Sequence, residues 1–166
     1  TSRLPEMEFW LPVERLPAEQ LDALCRQYIV PGRVRASLAA KSLHGMLMGF
    51  ADLVFEHDGR YWVLDYKSNH LGSNGAAYDS HSLADAMLEH RYDVQAAIYL
   101  LALHKLLKSR LGQAYDPATQ LGGAVYYFLR GIDGPAAGVH VEAANVEFLE
   151  AMEQLLESRD VLGDLA

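Results

Sequence analysis

One stretch constrains the fold of this chain more than any other: residues 49–67, Gly-Phe-Ala-Asp-Leu-Val-Phe-Glu-His-Asp-Gly-Arg-Tyr-Trp-Val-Leu-Asp-Tyr-Lys. It reads as two strands joined at Asp58-Gly59. The two-residue hairpin turn that matches strand twist needs positive φ at both central residues, and Asp-Gly is among the few pairs that tolerate this. The flanks, 50–55 and 61–66, are rich in β-branched and aromatic side chains, as strands are. If those two residues alone make the turn, His57 pairs with Arg60. Counting outward from there brings Asp52 opposite Asp65. Such a non-hydrogen-bonded pair has Cβ atoms roughly 4.5–5.5 Å apart.

Like charges directly opposite each other destabilise a sheet. A raised carboxyl pKa or a bound cation has to offset the repulsion. Lys67, two residues beyond Asp65, projects from the same face, while Leu53, Phe55, Trp62 and Leu64 point to the other. Two carboxylates and an ammonium thus converge on one patch. Hard oxygen ligands suit Mg²⁺, which takes one or two carboxylates and fills its other positions with water and phosphate. A nearby lysine can stabilise charge on a phosphate or help to activate a water. The plain alternative is a surface hairpin with a solvated charged face. Against it, these strands are too apolar to be peripheral, and the cluster lies far from the turn.

The pattern Asp, a short interval, then Asp-x-Lys on the next strand resembles the PD-(D/E)xK nuclease motif. The surrounding residues are more specific: 49–55 (Gly-Phe-Ala-Asp-Leu-Val-Phe), 64–69 (Leu-Asp-Tyr-Lys-Ser-Asn), His90-Arg-Tyr-Asp-x-Gln95, Tyr99-x-Leu-Ala-Leu-His104, and Gly122-Gly123 followed by Phe128-Leu-Arg-Gly131. Together, in this order, they resemble the C-terminal nuclease domain of the RecB family of helicase-nucleases. The similarity runs from about Glu6 nearly to the end of the chain.

The resemblance implies an α/β fold of restriction-endonuclease type, a mixed sheet flanked by helices, with residues 1–166 as a single nuclease domain. It also implies that the chain is the C-terminal piece of a longer helicase-nuclease, lacking the first core helix and the metal-binding histidine that the family carries there. None of the seven histidines matches that position; His44 lies close to it in type but in a different part of the motif. The implied reaction is Mg²⁺-dependent hydrolysis of DNA phosphodiesters by an exodeoxyribonuclease. It would serve double-strand-break repair and the degradation of linear DNA. Asp52 and Asp65, with the Tyr66 carbonyl, would hold the metal, and Lys67 would position or activate water. Gln95 and Tyr99 would face the site. The implied partners are DNA, RecC-like and RecD-like subunits, and the helicase part of the same chain. Two other readings stay open: a catalytically silent nuclease-like module that guides DNA or assembly, and a different metal-dependent phosphohydrolase.

Charge bears on this. The net charge is −8, which argues against an autonomous nucleic-acid binder but leaves room for a site fed with DNA by other domains. At 166 residues the chain suits one domain. No apolar run approaches the ~20 residues of a membrane span, no signal peptide is visible, and a cytoplasmic protein fits. Cys25 is the single cysteine, so neither an internal disulfide nor a thiolate metal site is available. The start at Thr1 suggests a fragment.

The rest reads in order as follows. Residues 1–5 form a flexible lead-in and 7–13 a strand that ends near Pro12. Glu8 on that strand is either a further carboxylate near the site or an exposed glutamate. Residues 18–28 form a helix with Leu21, Leu24 and Tyr28 on one face. Arg33, Arg35 and Lys41 lie in an irregular stretch and either touch a phosphate backbone or are solvated, the commoner fate. A Gly/Asn/Ser-rich loop, 68–80, borders the site. One long helix is expected over about 82–111, started by Ser82 and Asp85 as a capping box. Leu83, Met87, Val94, Ile98 and Leu101 form its apolar stripe, and Tyr92, Gln95 and Tyr99 an adjacent one. Arg91 is a phosphate contact or a surface residue. Residues 122–129 read as a strand buried on both faces, parallel to a hairpin strand through a crossover. His140-Val-Glu forms a short return strand. Asn145 caps a last helix whose apolar face is Phe148, Leu149, Met152 and Leu156.

Overall fold

The computed structural model describes residues 3–7, 17–40, 43 and 51–163, with side chains over 17–40, 43 and 51–157. Most of the expected strand over 7–13, including Glu8 and Pro12, lies outside the described residues, as do Lys41, His44, Gly49 and Phe50.

The hairpin forms as its turn dictates. Strands β2 (Ala51–His57) and β3 (Arg60–Lys67) are antiparallel, and both turn residues have positive φ, Asp58 at 50° and Gly59 at 76°. Pairing runs from His57–Arg60 to Leu53–Leu64 in the register that the turn predicts. Residues 3–7 are not a lead-in. They form β1 (Arg3–Met7), which pairs antiparallel with β2. Pro5 hides the strand in the sequence, yet it is tolerated because β1 lies at the edge of the described sheet.

Strand β4 (Leu121–Phe128) lies parallel to β3, and β5 (Val139–Ala143) returns antiparallel beside it. The described strands make one mixed sheet in the order β1-β2-β3-β4-β5. An extra residue at Gly122 shifts the β3–β4 register between Tyr61 and Trp62. Gly122 is bare because the Trp62 ring lies where a Cβ would be.

Helices cover one face of the sheet: α1 (Ala18–Tyr28), α2 (Ser80–Glu89), α3 (Tyr92–Leu111) and α4 (Val146–Gly163). The face that carries Val54, Val63, Ala124, Tyr126 and Phe128 is buried beneath them. Helix α3 is central, with Val94, Ala96, Ala97, Ile98, Tyr99, Leu100, Leu101 and Leu103 all buried. Leu21 and Cys25 of α1 and Phe148, Leu149, Met152 and Leu156 of α4 close the core. Asn145 caps α4 by accepting from Phe148 N at 3.1 Å.

The single helix expected over 82–111 is two helices. The chain breaks at His90-Arg91, where Arg91 takes a left-handed conformation with φ 53°. The start also differs: Asp79, rather than Ser82 with Asp85, caps α2, accepting from Ser82 N at 2.8 Å. A left-handed arginine costs about 1–2 kcal/mol and leaves no local sequence signal. One long-range ion pair, one local ion pair and a bond to a distant carbonyl offset it. Arg91 donates to Asp22 at 2.6 Å, to Asp93 at 3.1 Å and to the Ala36 carbonyl at 2.6 Å.

Strand β4 is not buried on both faces. Val125 and Tyr127 are half-buried on the side away from the helices. There Leu53, Phe55, Trp62 and Leu64 are also half-buried, and Tyr66, Val139 and Val141 are exposed. None of the described helices covers this face.

Candidate active site

The site lies where β2 and β3 run out at the end far from the turn. Asp65 faces the helices and is buried, with 6% of its surface exposed, whereas Asp52 is open to solvent. Beyond the last paired residues, the Tyr66 backbone N–H donates to Asp52 Oδ2 at 2.7 Å. That bond fixes the Asp52 carboxylate beside Asp65.

The expected conflict between the two carboxylates is present. Burial pushes Asp65 up to about 6, and a side-chain hydrogen bond with Asp52 pushes the same way against Lys67. Lys67 Nζ stands 2.6 Å from Asp65 Oδ2. The contact is a close ion pair between two largely buried side chains. Asp52, Asp65 and Lys67, placed together by strand alternation, do converge.

Helix α3 forms the wall. Lys67 Nζ lies 4.0 Å from the centroid of the Tyr92 ring and 5.6 Å from that of Tyr126, whose planes are nearly parallel at 15°. Tyr126 is the cross-strand neighbour of Asp65. Its hydroxyl donates to Gln95 Oε1 at 3.1 Å. Gln95 therefore borders the cluster. Tyr99 is buried, and its hydroxyl is held well above its ordinary range, chiefly by burial and then by the charges of Asp65 and Asp52. Asn69, from the loop after β3, meets the Tyr92 hydroxyl at 3.2 Å.

Two arginines depart from expectation, and a third stays at the surface as expected. Arg91 is 5% exposed and its guanidinium is taken up by Asp22, Asp93 and a carbonyl, so it is neither a surface residue nor placed to touch a phosphate. Arg35 is buried against Asp93 at 2.9 Å, so it is neither solvated nor free to reach a phosphate backbone. Arg33 bonds Asp85 at 2.7 Å at the surface. Asn69 belongs to the loop expected beside the site and Tyr92 to the stripe expected with Gln95, whereas Tyr126 borders the site without having been expected there. The periodicity of α3 puts Tyr92 beside Gln95, but only the β3–β4 register brings Tyr126 to Asp65.

The residues suit a hard divalent cation. A buried carboxylate is crowded by a second one fixed next to it, and a cation relieves that repulsion. Among the described residues no group of three or more His, Cys, Asp or Glu side chains converges to hold a metal. A cation here would therefore keep much of its water, as Mg²⁺ does.

Known proteins share this arrangement in sequence. Residues 10–165 match the PD-(D/E)XK nuclease superfamily. The RecBCD enzyme subunit RecB of Escherichia coli (strain K12) is 44% identical over 153 residues, which are 90% of this chain and 13% of that protein. RecB of Haemophilus influenzae is 39% identical over 153 residues, 90% of this chain and 12% of its own. RecB of Mycobacterium tuberculosis (strain H37Rv) is 44% identical over 105 residues, 63% of this chain and 10% of its own. The chain thus spans about an eighth of the length of the first two relatives. No described helix is long and apolar enough to cross a membrane. The chain belongs to the PD-(D/E)XK nuclease superfamily, with RecB subunits among its relatives.

Proposed function

We propose that this chain is the cutting domain of a RecB-like helicase-nuclease, hydrolysing DNA phosphodiesters with Mg²⁺ as an exodeoxyribonuclease. The observation that supports it most is the buried Asp65 carboxylate beside the fixed Asp52 carboxylate and the Lys67 ammonium. Asp52, Asp65 and the Tyr66 carbonyl would hold the metal. When bound, Mg²⁺ supplies charge stabilisation at the phosphate and an acidified water. Lys67 orients that water and offsets negative charge as the transition state forms. Tyr126 fixes the Gln95 carbonyl oxygen, which turns the Gln95 amide N–H₂ group toward a bound strand. Tyr99 supports the wall beneath it.

The net charge of −8 favours delivery of DNA by other parts of the assembly: a helicase part of the same polypeptide and RecC-like and RecD-like subunits. This fits double-strand-break repair and the degradation of linear DNA. The test is linear-DNA cleavage by the full-length protein in Mg²⁺ and in EDTA, with Asp65→Ala alongside. Mg²⁺-dependent cutting lost in Asp65→Ala is the expected result. DNA binding without cutting in the unmodified protein would leave a silent guiding module, and cutting of small phosphoesters alone a different phosphohydrolase.

A further inference from the structure

We propose that Tyr92, oriented by Asn69, is the positioning residue for the Lys67 ammonium, holding it by the face of its ring. The proposal rests on the nuclease reading for its consequence in rate but not for its geometry.

Lysine is a point charge on a flexible four-carbon stem, with no planar group to fix its direction. Lys67 also stands at the last residue of β3. Its one described charged contact is Asp65 Oδ2 at 2.6 Å, the oxygen best suited to a cation. A divalent cation drawn to Asp65 would repel the ammonium from the same place. The Tyr92 ring gives a hold that does not compete. Its centroid is 4.0 Å from Nζ, within the ~6 Å reach of a cation–π contact. A ring face attracts a cation through its quadrupole and brings no net charge. It therefore neither binds the metal nor adds to the Asp52–Asp65 repulsion.

The ring is held by Asn69 and by the rings of Tyr126 and His90, the last stacked at 5.2 Å. The Tyr92 hydroxyl and the Asn69 side chain meet at 3.2 and 3.3 Å. The Tyr126 ring lies 5.9 Å away, nearly parallel, and its hydroxyl oxygen stands 3.3 Å from the Tyr92 carbonyl. The left-handed Arg91, pinned by Asp22 and Asp93, sets where the helix that carries Tyr92 begins.

The experiment uses the full-length protein. Tyr92 is replaced by Phe and then by mono-, di- and trifluorophenylalanine, which weaken the quadrupole at nearly constant size, and by Leu. Expected is a small fall in kcat for Tyr92→Phe, which keeps the ring face but loses the Asn69 bond, then a further graded fall with each fluorine, and a roughly 3- to 30-fold loss for Leu, with KM for DNA within about twofold. A structural role alone would follow melting temperature and ignore fluorine number, and a flat fluorine series would overturn the proposal. Structures of the Leu variant give the second readout. With Mg²⁺ added, Lys67 Nζ should stay over the ring in the unmodified protein and lose that place in the Leu variant; an ammonium at the same place in both overturns the proposal whatever the activity. An unmodified protein that cuts no DNA would sink the nuclease reading alone, because the position of Lys67 still decides this one.

Discussion

The Arg35 guanidinium meets the Asp93 carboxylate at 2.9 Å with neither side chain exposed. Arg35 also donates to the Ile29 carbonyl at 2.9 Å and the Val30 carbonyl at 2.6 Å, and Asp93 accepts from Arg91 as well. Removing one member of such a group leaves a buried charge without a partner, which typically costs 3–5 kcal/mol. Asp93→Ala is therefore expected to destabilise the domain by about that amount in urea denaturation, more than any substitution at the exposed Arg33–Asp85 pair. A loss below about 1 kcal/mol would mean that water reaches the network.

Asp65 sets a pH dependence with a definite sign. Its folded-state value is raised, mainly by burial, from 3.8 to about 6. Across that window the folded protein keeps a proton that the unfolded chain has already released. Stability from this group is present at low pH and is lost as pH rises through about 6. The loss is roughly 3 kcal/mol, because each tenfold change in proton affinity is worth ~1.4 kcal/mol. Melting curves in EDTA between pH 4 and 8 should show the decline, and Asp65→Asn should remove it. Asp65→Ala should be neutral or slightly stabilising at neutral pH without metal. A sharp fall in its melting temperature would reveal that the Lys67 contact outweighs the burial of charge.

Mg²⁺ should reverse that trend. A divalent cation favours the ionised carboxylate and lowers its titration, and any ligand bound only to the folded state raises its stability. The melting temperature at pH 8 is expected to rise with Mg²⁺ and to be insensitive to Mg²⁺ in Asp65→Asn. Equal responses in the two proteins would place the cation elsewhere.

Asp65→Ala and Lys67→Ala in the full-length protein should each reduce DNA cleavage by at least a hundredfold, roughly the scale of losing one preorganised charge at a reacting phosphate. Far-ultraviolet circular dichroism should be unchanged. Retained cutting by Lys67→Ala would remove the ammonium from the mechanism.

Gly122→Ala tests the register shift. An added Cβ would collide with the Trp62 ring, so the ring must swing out. The expected loss is about 1–3 kcal/mol, with a change in tryptophan emission. The site end of the sheet should keep its activity.

The hairpin, its register and the convergence of Asp52, Asp65 and Lys67 were legible because a two-residue turn and strand alternation are local rules. So were α1, the faces of α4 and the return strand. What was not legible depends on distant partners. Strand β1 needs β2, the break at Arg91 needs Asp22 and Ala36, and Arg35 is buried because Asp93 lies 58 positions further along. The wall of the site was half visible. Helical spacing grouped Tyr92 with Gln95 and Tyr99, whereas Tyr126 looked like one more apolar residue in a buried strand. Its hydroxyl acquires a purpose only when β4 settles beside β3.

The Asp58-Gly59 turn offers a use that its role in setting register does not suggest. It is exposed, and the length of β2 separates it from Asp52, about 20 Å at ~3.3 Å per residue. A fluorophore attached at this turn without lengthening it would ride on the hairpin well away from the candidate site. Movement of the domain within a larger assembly could then be followed optically while it works.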